Sequence, residues 1–362
     1  MNSLVINSIL LNGNEFGFSN GMNFIIGANG SGKTTFFNLI MHVLGLKDIK
    51  RTTDFIRVDG IVVNCTIGDL QVSITRDNEN KIHFNGGIKI EAKYGSRELQ
   101  SIYNSLFEPT FDFEEDTFAA QEILESSFIS ENHLYSDVLL QKTYNKILGV
   151  NIDYIKSYKK QINLYKQKIS NEDSVHITLK TFINNVEKDL ENNSSKDEIS
   201  SVLRKHYISL YDSIFENRKL LDEALEMYNY VSKIQESTMK ERKEVVDKQI
   251  KDYNHSLGIS REESIYSSGG MNILRKFIPN IARTKKYPDY KYLNTNGFLI
   301  TDSPFGGLDT NSTNTLRNII LDECKNRRLQ YIEFTSFNSG IPSNANIIHL
   351  NYKEAIGWLR VN

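Results

Sequence analysis

The segment Gly27–Thr34 combines the residue types that bind a phosphate group. Its sequence, Gly-Ala-Asn-Gly-Ser-Gly-Lys-Thr, fits G-x-x-x-x-G-K-[ST] and lies between an apolar stretch that predicts a strand (Phe24–Ile26) and a stretch that predicts a helix (Thr35–Leu46). Glycines let backbone N–H groups close around a phosphate, and the helix N-terminus adds positive potential. We expect the Lys33 amine to reach the β- and γ-phosphate oxygens and the Thr34 hydroxyl to ligate Mg²⁺. The predicted nucleotide contacts in this segment are Asn29, Gly30, Ser31, Gly32, Lys33, Thr34 and Thr35.

A second apolar stretch, Phe298–Asp302, ends in a carboxylate. A strand of this type can hold Mg²⁺ through Asp302, which with the phosphate loop predicts ATP and Mg²⁺ as cofactors. The alternative is a buried strand that ends in a helix-capping Asp. Gly306-Gly307-Leu308-Asp309 follows a few residues later.

Between the phosphate loop and Asp302 lies Ser267-Ser268-Gly269-Gly270-Met271, followed by a predicted helix through Phe277. Adjacent glycines at a helix start can present N–H groups to a phosphate, so Ser268, Gly269 and Gly270 are candidate nucleotide-binding residues. Ser-Gly-Gly turns are common, and the order of the three segments is what makes this one informative.

The middle of the chain has a different character, because Val150–Leu257 contains neither Gly nor Pro. Its apolar residues step by three and four, which is the heptad pattern of a coiled coil: Ile155, Tyr158, Ile162, Tyr165 and Ile169, then Leu179, Ile183, Val186 and Leu190 after a polar break at Ser170–Ser174. The return limb shows Leu221, Leu225, Tyr228, Val246, Ile250, Tyr253 and Leu257, with the polar run Glu191–Asp197 as the predicted tip. Since the limbs are unequal, we expect a kink or an extra helix. A compact helical bundle is the alternative.

These patterns predict an α/β fold, a P-loop NTPase with a mixed sheet flanked by helices and an inserted antiparallel helical hairpin. The predicted domains are residues 1–149, the hairpin 150–257, and residues 258–362. The Gly60–Gly68 and Leu70–Arg76 stretches predict an antiparallel strand pair, and Ser96–Phe107 predicts a short helix.

The ordered set resembles the ABC ATPase heads of the SMC family and its relatives in double-strand-break repair and recombination. Ser267–Met271 resembles the signature motif of these heads, with Ser267 where Leu is usual, and Gly306–Asp309 resembles their D-loop. The resemblance implies a head-to-tail homodimer in which Gly27–Thr34 and Asp302 of one chain face Ser268–Gly270 of the other.

Two positions depart from that family. Its catalytic Glu directly follows the Asp, where this chain has Ser303, and its switch His follows the next strand, where this chain has Ser336. A neutral hydroxyl does not act as a carboxylate base near pH 7, so we expect slow hydrolysis. The pattern Asp-Ser/Thr-Pro-x-Gly-x-Leu-Asp is similar to a subgroup of prokaryotic defence ATPases, which includes the ATPase of phosphorothioation-dependent restriction systems.

The glutamine that the resemblance implies near the metal has several candidates. Gln121 precedes the hairpin and is our choice for contacting nucleotide and Mg²⁺, while Gln100 and Gln141 are rivals.

The composition of the chain limits the kinds of partner that it can bind. The formal net charge is −2, so DNA binding requires a local basic surface. Two candidate surfaces are the first limb of the hairpin (Lys156, Lys159, Lys160, Lys166, Lys168) and the segment after the signature-like motif (Arg275, Lys276, Arg283, Lys285, Lys286, Lys291). Two cysteines and the absence of a long apolar stretch predict a cytoplasmic protein without a membrane partner.

Three functional hypotheses remain open at this stage. The first is an ATPase that couples head dimerisation to DNA in repair or anti-phage defence, with an effector protein encoded nearby. The second is a regulatory subunit that binds ATP, hardly hydrolyses it, and controls an effector such as a nuclease. The third, an ABC transporter subunit, requires a membrane partner.

Overall fold

The computed structural model describes residues 1–11, 13–48, 60–111, 116–130, 143–189, 196–259, 269–287, 292–306, 308–326, 329–336 and 340–350. The strands are β1 (Leu4–Leu11), β2 (Asn14–Gly17), β3 (Met22–Ile26), β4 (Ile61–Ile67), β5 (Leu70–Arg76), β6 (Lys81–Gly86), β7 (Ile90–Lys93), β8 (Phe128–Ser130), β9 (Phe298–Asp302), β10 (Gln330–Thr335) and β11 (Asn346–His349). The helices are α1 (Lys33–Val43), α2 (Arg97–Phe107), α3 (Ala119–Glu125), α4 (Ile152–Asp189), α5 (Lys196–Ser256), α6 (Gly269–Thr284) and α7 (Thr310–Lys325).

The chain divides into two compact units. The first joins Met1–Val150 to Met239–Asn362, and the second is Asn151–Thr238. The first unit is the α/β body in which the N-terminal and C-terminal parts of the sequence meet, as the motif order predicts. Within the described residues, no helix combines the length and the apolar character that crossing a bilayer requires.

The α/β body contains two sheets, so the predicted mixed sheet is divided into an antiparallel and a parallel part. The antiparallel sheet has the order β2-β1-β4-β5-β6-β7 and includes the predicted pair β4–β5. Its strands alternate buried and half-buried residues, as expected for a sheet with one covered face. The second sheet has the order β11-β3-β10-β9-β8, and every pairing in it is parallel.

The parallel sheet is covered on both faces, which explains why β3, β9 and β10 are buried along their whole length. Helix α1 packs between the two sheets. Its Phe36 and Phe37 contact Phe334 of β10, with ring centroids 5.6 and 6.0 Å apart. This aromatic cluster anchors α1, and therefore the loop that precedes it, against the parallel sheet.

The second unit is an antiparallel helical pair formed by α4 and the first part of α5. Lys159 lies over the Tyr228 ring, and Gln235 donates to the Asn151 carbonyl, so the two chain directions are opposed. Of the predicted seam, Ile162 and Ile183 are buried, and Ile214, Ala224 and Val231 are buried on the facing helix. The prediction of a helical hairpin agrees with this arrangement, and most of the predicted tip lies outside the described residues.

The two helices, Ile152–Asp189 and Lys196–Ser256, lie within the range predicted for the hairpin. The compact helical unit is shorter and ends at Thr238, because the last part of α5 is bound into the α/β body. There the Arg242 guanidinium donates to the Leu148 carbonyl at 2.7 Å, and the Tyr253 hydroxyl donates to Glu323 at 2.8 Å. The limbs are unequal, 38 against 61 residues, for this reason, and α5 itself is one continuous helix.

The polar break predicted at Ser170–Ser174 is a polar layer within an unbroken seam. Glu172 and His176 continue the three-and-four spacing of α4. The Glu172 carboxylate accepts hydrogen bonds from Ser213 and Asn217 of α5, both at 2.9 Å, and the His176 ring stacks on Tyr207. Since these bonds form in only one alignment of the two helices, the layer fixes their register.

Replacing Glu172 and Asn217 together by Leu should stabilise the hairpin, because two seam positions become apolar and the remaining partner, the Ser213 hydroxyl, is only half-buried and can bond to water. We expect the local opening free energy to rise by about 1–2 kcal/mol, measured as slower amide hydrogen exchange along α4.

The control is Arg218→Ala, which removes an exposed ion pair to Asp173 (3.3 Å) and should change exchange along α4 by less than about 1 kcal/mol. Faster exchange along α4 in the double variant would show that the polar layer stabilises the hairpin. It would contradict our inference that the layer serves to fix the register of the two helices.

Candidate phosphate-binding site

The segment between β3 and α1 forms a tight loop whose shape depends on its glycines. Gly30 and Gly32 have φ of +81° and +88°, a region that residues with a Cβ avoid. Gly27 is needed for a different reason, because a Cβ there would lie 2.3 Å from the Ser31 Oγ and 3.0 Å from the Leu350 carbonyl oxygen. The loop is therefore closely wrapped by its own residues and by the end of β11.

The start of α1 is prepared for an anion. Gly32 is the N-cap and supplies no side-chain acceptor, and the first turn contains no acidic residue. The N–H groups at this end are therefore not satisfied by a capping side chain, and the helix dipole adds positive potential. The Ser31 hydroxyl is buried without a hydrogen-bond partner, and Asn29, Gly30 and Thr34 are exposed. These features fit the phosphates of a nucleotide.

Lys33 closes the loop from the helix side. Its ammonium donates to the Gly27 carbonyl at 2.7 Å and to the Ala28 carbonyl at 2.9 Å, so the positive charge lies over the loop. Burial lowers the pKa of the Lys33 amine, and the carboxylate of Asp302 opposes that shift. The two residues predicted for phosphate and metal are thus close enough to interact electrostatically.

The parallel register places Asp302 beside the loop. Asp302 pairs with Phe334, and Phe334 pairs with Ile25, so the carboxyl ends of β9, β10 and β3 lie level. Residues that are paired across strands point to the same face, and Phe334 faces α1. Asp302 therefore projects on the α1 side, next to the helix N-terminus.

These residues also fit Mg²⁺. The Thr34 hydroxyl and the Asp302 carboxylate are oxygen ligands of the type that Mg²⁺ prefers, with phosphate oxygens and water completing its shell. No group of three or more His, Cys, Asp or Glu side chains is placed to hold a metal in the part of the chain that the structure describes.

Ser303 and Ser336 follow β9 and β10 at this edge of the sheet. Ser303 has φ of +50°, an unfavourable backbone conformation for a residue with a Cβ, and its N–H donates to the Phe334 carbonyl at 2.8 Å. Ser336 is exposed. Both hydroxyl residues thus follow strands that end beside the phosphate loop.

The structure places Gln121 away from the phosphate loop, and its assignment to nucleotide and Mg²⁺ stays a prediction. Gln121 lies on α3, and its amide donates to the Gly45 carbonyl at 3.0 Å, beyond the C-terminal end of α1. That end lies about 15 Å from the phosphate loop, as follows from the helical rise. Of its rivals, Gln100 lies on α2, and Gln141 lies outside the described residues.

Sequence reasoning missed β8. This strand pairs with β9, and Ser130 pairs with Asp302, so Ser130 lies at the same edge as the phosphate loop. With three residues, β8 is too short for a periodic pattern. A short apolar stretch between serines, Ser127–Ser130, was the only signal.

The remaining predicted segments are described in part. Gly269 and Gly270 open α6 as predicted, whereas Ser267 and Ser268 lie outside the described residues. Asp309 is the N-cap of α7, where its carboxylate accepts from the Ser312 N–H at 2.9 Å. Gly307 also lies outside the described residues.

The fold and the site together define a P-loop NTPase head that carries a helical hairpin. Residues 6–257 match the AAA domain family, and the chain belongs to that family, which implies ATP binding and ATPase activity. Among curated proteins, none matches this chain.

The chain is similar to solved structures of Smc head domains. The Smc head domain of Pyrococcus furiosus with an extended coiled coil, bound to the C-terminal domain of ScpA, gives a TM-score of 0.56 at 15% identity, covering 93% of this chain and 91% of that one. The Smc head domain of Pyrococcus yayanosii with a coiled coil and joint gives a TM-score of 0.46 at 14% identity, covering 98% and 99%. The first comparison establishes the fold as that of an Smc head.

Gly27→Ala should abolish nucleotide binding without unfolding the protein, because the added methyl group displaces Ser31 or the Leu350 backbone and opens the loop. We expect affinity for a fluorescent ATP analogue to fall by about 100-fold or more, the equivalent of about 3 kcal/mol.

Gly21→Ala is the matched control at the other end of β3, since its Cβ would meet only the Ser19 Oγ, at 3.9 Å. Unchanged affinity in Gly27→Ala would show that the close packing around Gly27 is not required for the loop.

Proposed function

We propose that the protein binds ATP with Mg²⁺ and that ATP binding joins two copies head to tail. The observation that carries the proposal is the combination, in one α/β body, of an uncapped α1 N-terminus, Lys33 and Asp302 with a second glycine-opened helix, α6. Each chain has one phosphate loop with Asp302 and one such glycine-opened helix. Two copies are therefore needed to form complete sites.

In each composite site, Lys33 and the N–H groups of the phosphate loop bind the phosphates of one nucleotide. Thr34 and Asp302 hold Mg²⁺, which neutralises charge on the phosphate oxygens. Ser268, Gly269 and Gly270 of the second copy supply N–H groups to the γ-phosphate. Those contacts form only in the dimer, so ATP favours association.

Hydrolysis is slow in this proposal. A carboxylate is absent from the position directly after Asp302, and the Ser303 hydroxyl stays neutral near pH 7, so it is a poor general base. This residue also supports a second candidate function, a regulatory subunit that stays ATP-bound and controls an effector protein.

We further propose that the hairpin couples the ATP-bound state to DNA, in repair or anti-phage defence, together with an effector encoded nearby and in the cytoplasm. The exposed lysines Lys160, Lys166 and Lys168 of α4 support a DNA contact on the hairpin. The segment after the signature-like motif is a weaker candidate, because Lys285 binds Glu323 at 3.0 Å and Arg283 lies over the Tyr144 ring.

Light scattering with ATP, Mg²⁺ and hydrolysis blocked tests the dimer. Wild-type protein should double its mass, and Lys33→Ala should stay monomeric because it loses the cation over the phosphates. Lys47→Ala, just beyond the other end of α1, is the matched control and should behave as wild type.

A wild-type monomer that holds ATP through Lys33 would refute the dimer while keeping the ATP site. Turnover separates the two candidate functions. Phosphate release that DNA stimulates and Lys33→Ala abolishes supports the DNA-coupled ATPase, and retained unhydrolysed ATP without a DNA effect supports the regulatory subunit.

Replacing Lys160, Lys166 and Lys168 by Gln should weaken binding to duplex DNA and flatten its salt dependence. Loss of three phosphate contacts lowers the slope of log K against log salt by about 2.7. The measurement is fluorescence anisotropy between low and physiological salt, with Lys285→Gln as the control. An unchanged slope would remove these residues from the DNA surface.

A further inference from the structure

A fully buried ionic network lies on the face of the parallel sheet opposite α1. The side chains of Arg317 on α7 and Glu333 on β10 are 1% and 0% exposed. Two guanidinium nitrogens of Arg317 donate to the two carboxylate oxygens of Glu333, Nη2 at 2.5 Å and Nε at 3.4 Å. The Tyr331 hydroxyl donates to the same carboxylate at 3.0 Å and lies 3.1 Å from the Thr301 hydroxyl.

Stability alone does not account for such a pair. Removing two charges from water is costly, and buried ion pairs can often be replaced by apolar residues without loss of stability. What the pair does provide is direction, because the planar guanidinium is held in one orientation by two parallel hydrogen bonds. The fixed guanidinium plane can therefore hold the groups that it contacts in one position.

Two aromatic rings lie close to the guanidinium group. The guanidinium carbon is 5.1 Å from the ring centroid of Phe24 on β3 and 5.7 Å from that of Phe305. Phe305 belongs to the turn that follows Asp302. Arg317 therefore links the interior of the sheet directly to the turn beside the phosphate loop.

Phe305 continues the contact to α6. Its ring meets that of Phe277 edge to face, with centroids 5.3 Å apart, and both residues are buried. Phe277 is two turns along the helix that Gly269 and Gly270 open. One chain of contacts, Glu333–Arg317–Phe305–Phe277, thus runs from β10 to the glycine-opened helix.

The turn itself needs external support. Ser303 has φ of +50°, and such conformations persist only where the surroundings enforce them. The Ser303 N–H bond to Phe334 fixes the start of the turn, and the packing of Phe305 fixes its end.

We propose that Arg317 is a positioning residue of the ATP site, holding the turn after Asp302 and helix α6 in one fixed arrangement through Phe305. The proposal rests on the proposed function in one respect, that Asp302 and α6 serve the same reaction. The Glu333 partner of Arg317 pairs with Thr301, one residue before Asp302, so Arg317 packs on the sheet face opposite the one toward which Asp302 projects. Loss of Arg317 should therefore leave ATP affinity in place and affect the steps that need Asp302 and α6 together.

Hydrogen exchange without nucleotide tests the link independently of ATP. The variant is Arg317→Met with Glu333→Leu, which removes both charges and leaves no unpaired buried ion. We expect amides of 303–306 and 277–284 to exchange about tenfold faster, with β3 and α1 unchanged. Arg317→Lys keeps the positive charge but lacks the planar guanidinium group. Amides of 303–306 should therefore exchange faster in this variant as well.

Arg76→Met is the matched control. Arg76 is equally buried, 2% exposed, and its guanidinium lies 4.3 Å from the Tyr94 ring, but its hydrogen bonds go to His42 and to residues just beyond the C-terminal end of α1. It should not alter exchange in 303–306 or 277–284.

ATP-dependent measurements complete the test. In the double variant we expect the Kd for ATP to stay within about threefold of wild type while ATP-dependent association weakens about tenfold or more. Unchanged exchange in 303–306 and 277–284 would overturn the proposal, and so would a uniform rise that includes β3 and α1, since that is a general loss of stability. If wild-type protein fails to associate with ATP, the proposed function fails, and the exchange result alone decides the role of Arg317.

Discussion

The structure depends on the level ends of β3, β10 and β9 in the parallel sheet. Their pairing, Ile25 with Phe334 and Phe334 with Asp302, brings the phosphate loop and the Asp302 carboxylate to one edge. Because side chains alternate along a strand, a slip of one residue between β9 and β10 would turn Asp302 away from α1. The burial of all three strands on both faces makes such a slip costly.

The same alternation gives the sheet two different faces. The face toward α1 is apolar and aromatic, with Phe334 packed on Phe36 and Phe37, and it ends in Asp302. The opposite face carries the ionic pair of Arg317 and Glu333. Dispersion and burial hold α1 and the phosphate loop, whereas directional hydrogen bonds orient the group that reaches the turn after Asp302. The contacts that support the phosphate loop and those that orient the turn after Asp302 thus lie on opposite faces of the same sheet.

In the helical unit, a polar group likewise selects one arrangement. Apolar seams hold two helices together but favour several alignments of nearly equal energy. Glu172, bonded to Ser213 and Asn217, selects one of them. In both units, buried or half-buried polar groups define geometry, and apolar burial supplies most of the stability.

The sequence by itself determined the segments whose chemistry is local. The phosphate loop, the strand ending in Asp302, the glycine pair that opens α6 and the helical character of residues 150–257 all follow from residue types at short spacing. Each of these patterns spans only a few helical turns or one strand, so it can be recognised in the sequence without knowledge of the fold. Gln121 shows the limit of such patterns, because a lone glutamine carries no local pattern that distinguishes a ligand from a side chain bonded to Gly45.

The tertiary structure decided everything that depends on separate segments meeting. Ser130 comes level with Asp302 only because β8 pairs with β9, and Arg317 meets Glu333, Phe24 and Phe305 only because α7 packs across the sheet. The second compact unit ends at Thr238 because Arg242 and Tyr253 find partners in the α/β body, although α5 continues past them. Periodicity specifies a helix and its apolar side, and the partners available in the fold specify where that helix is bound.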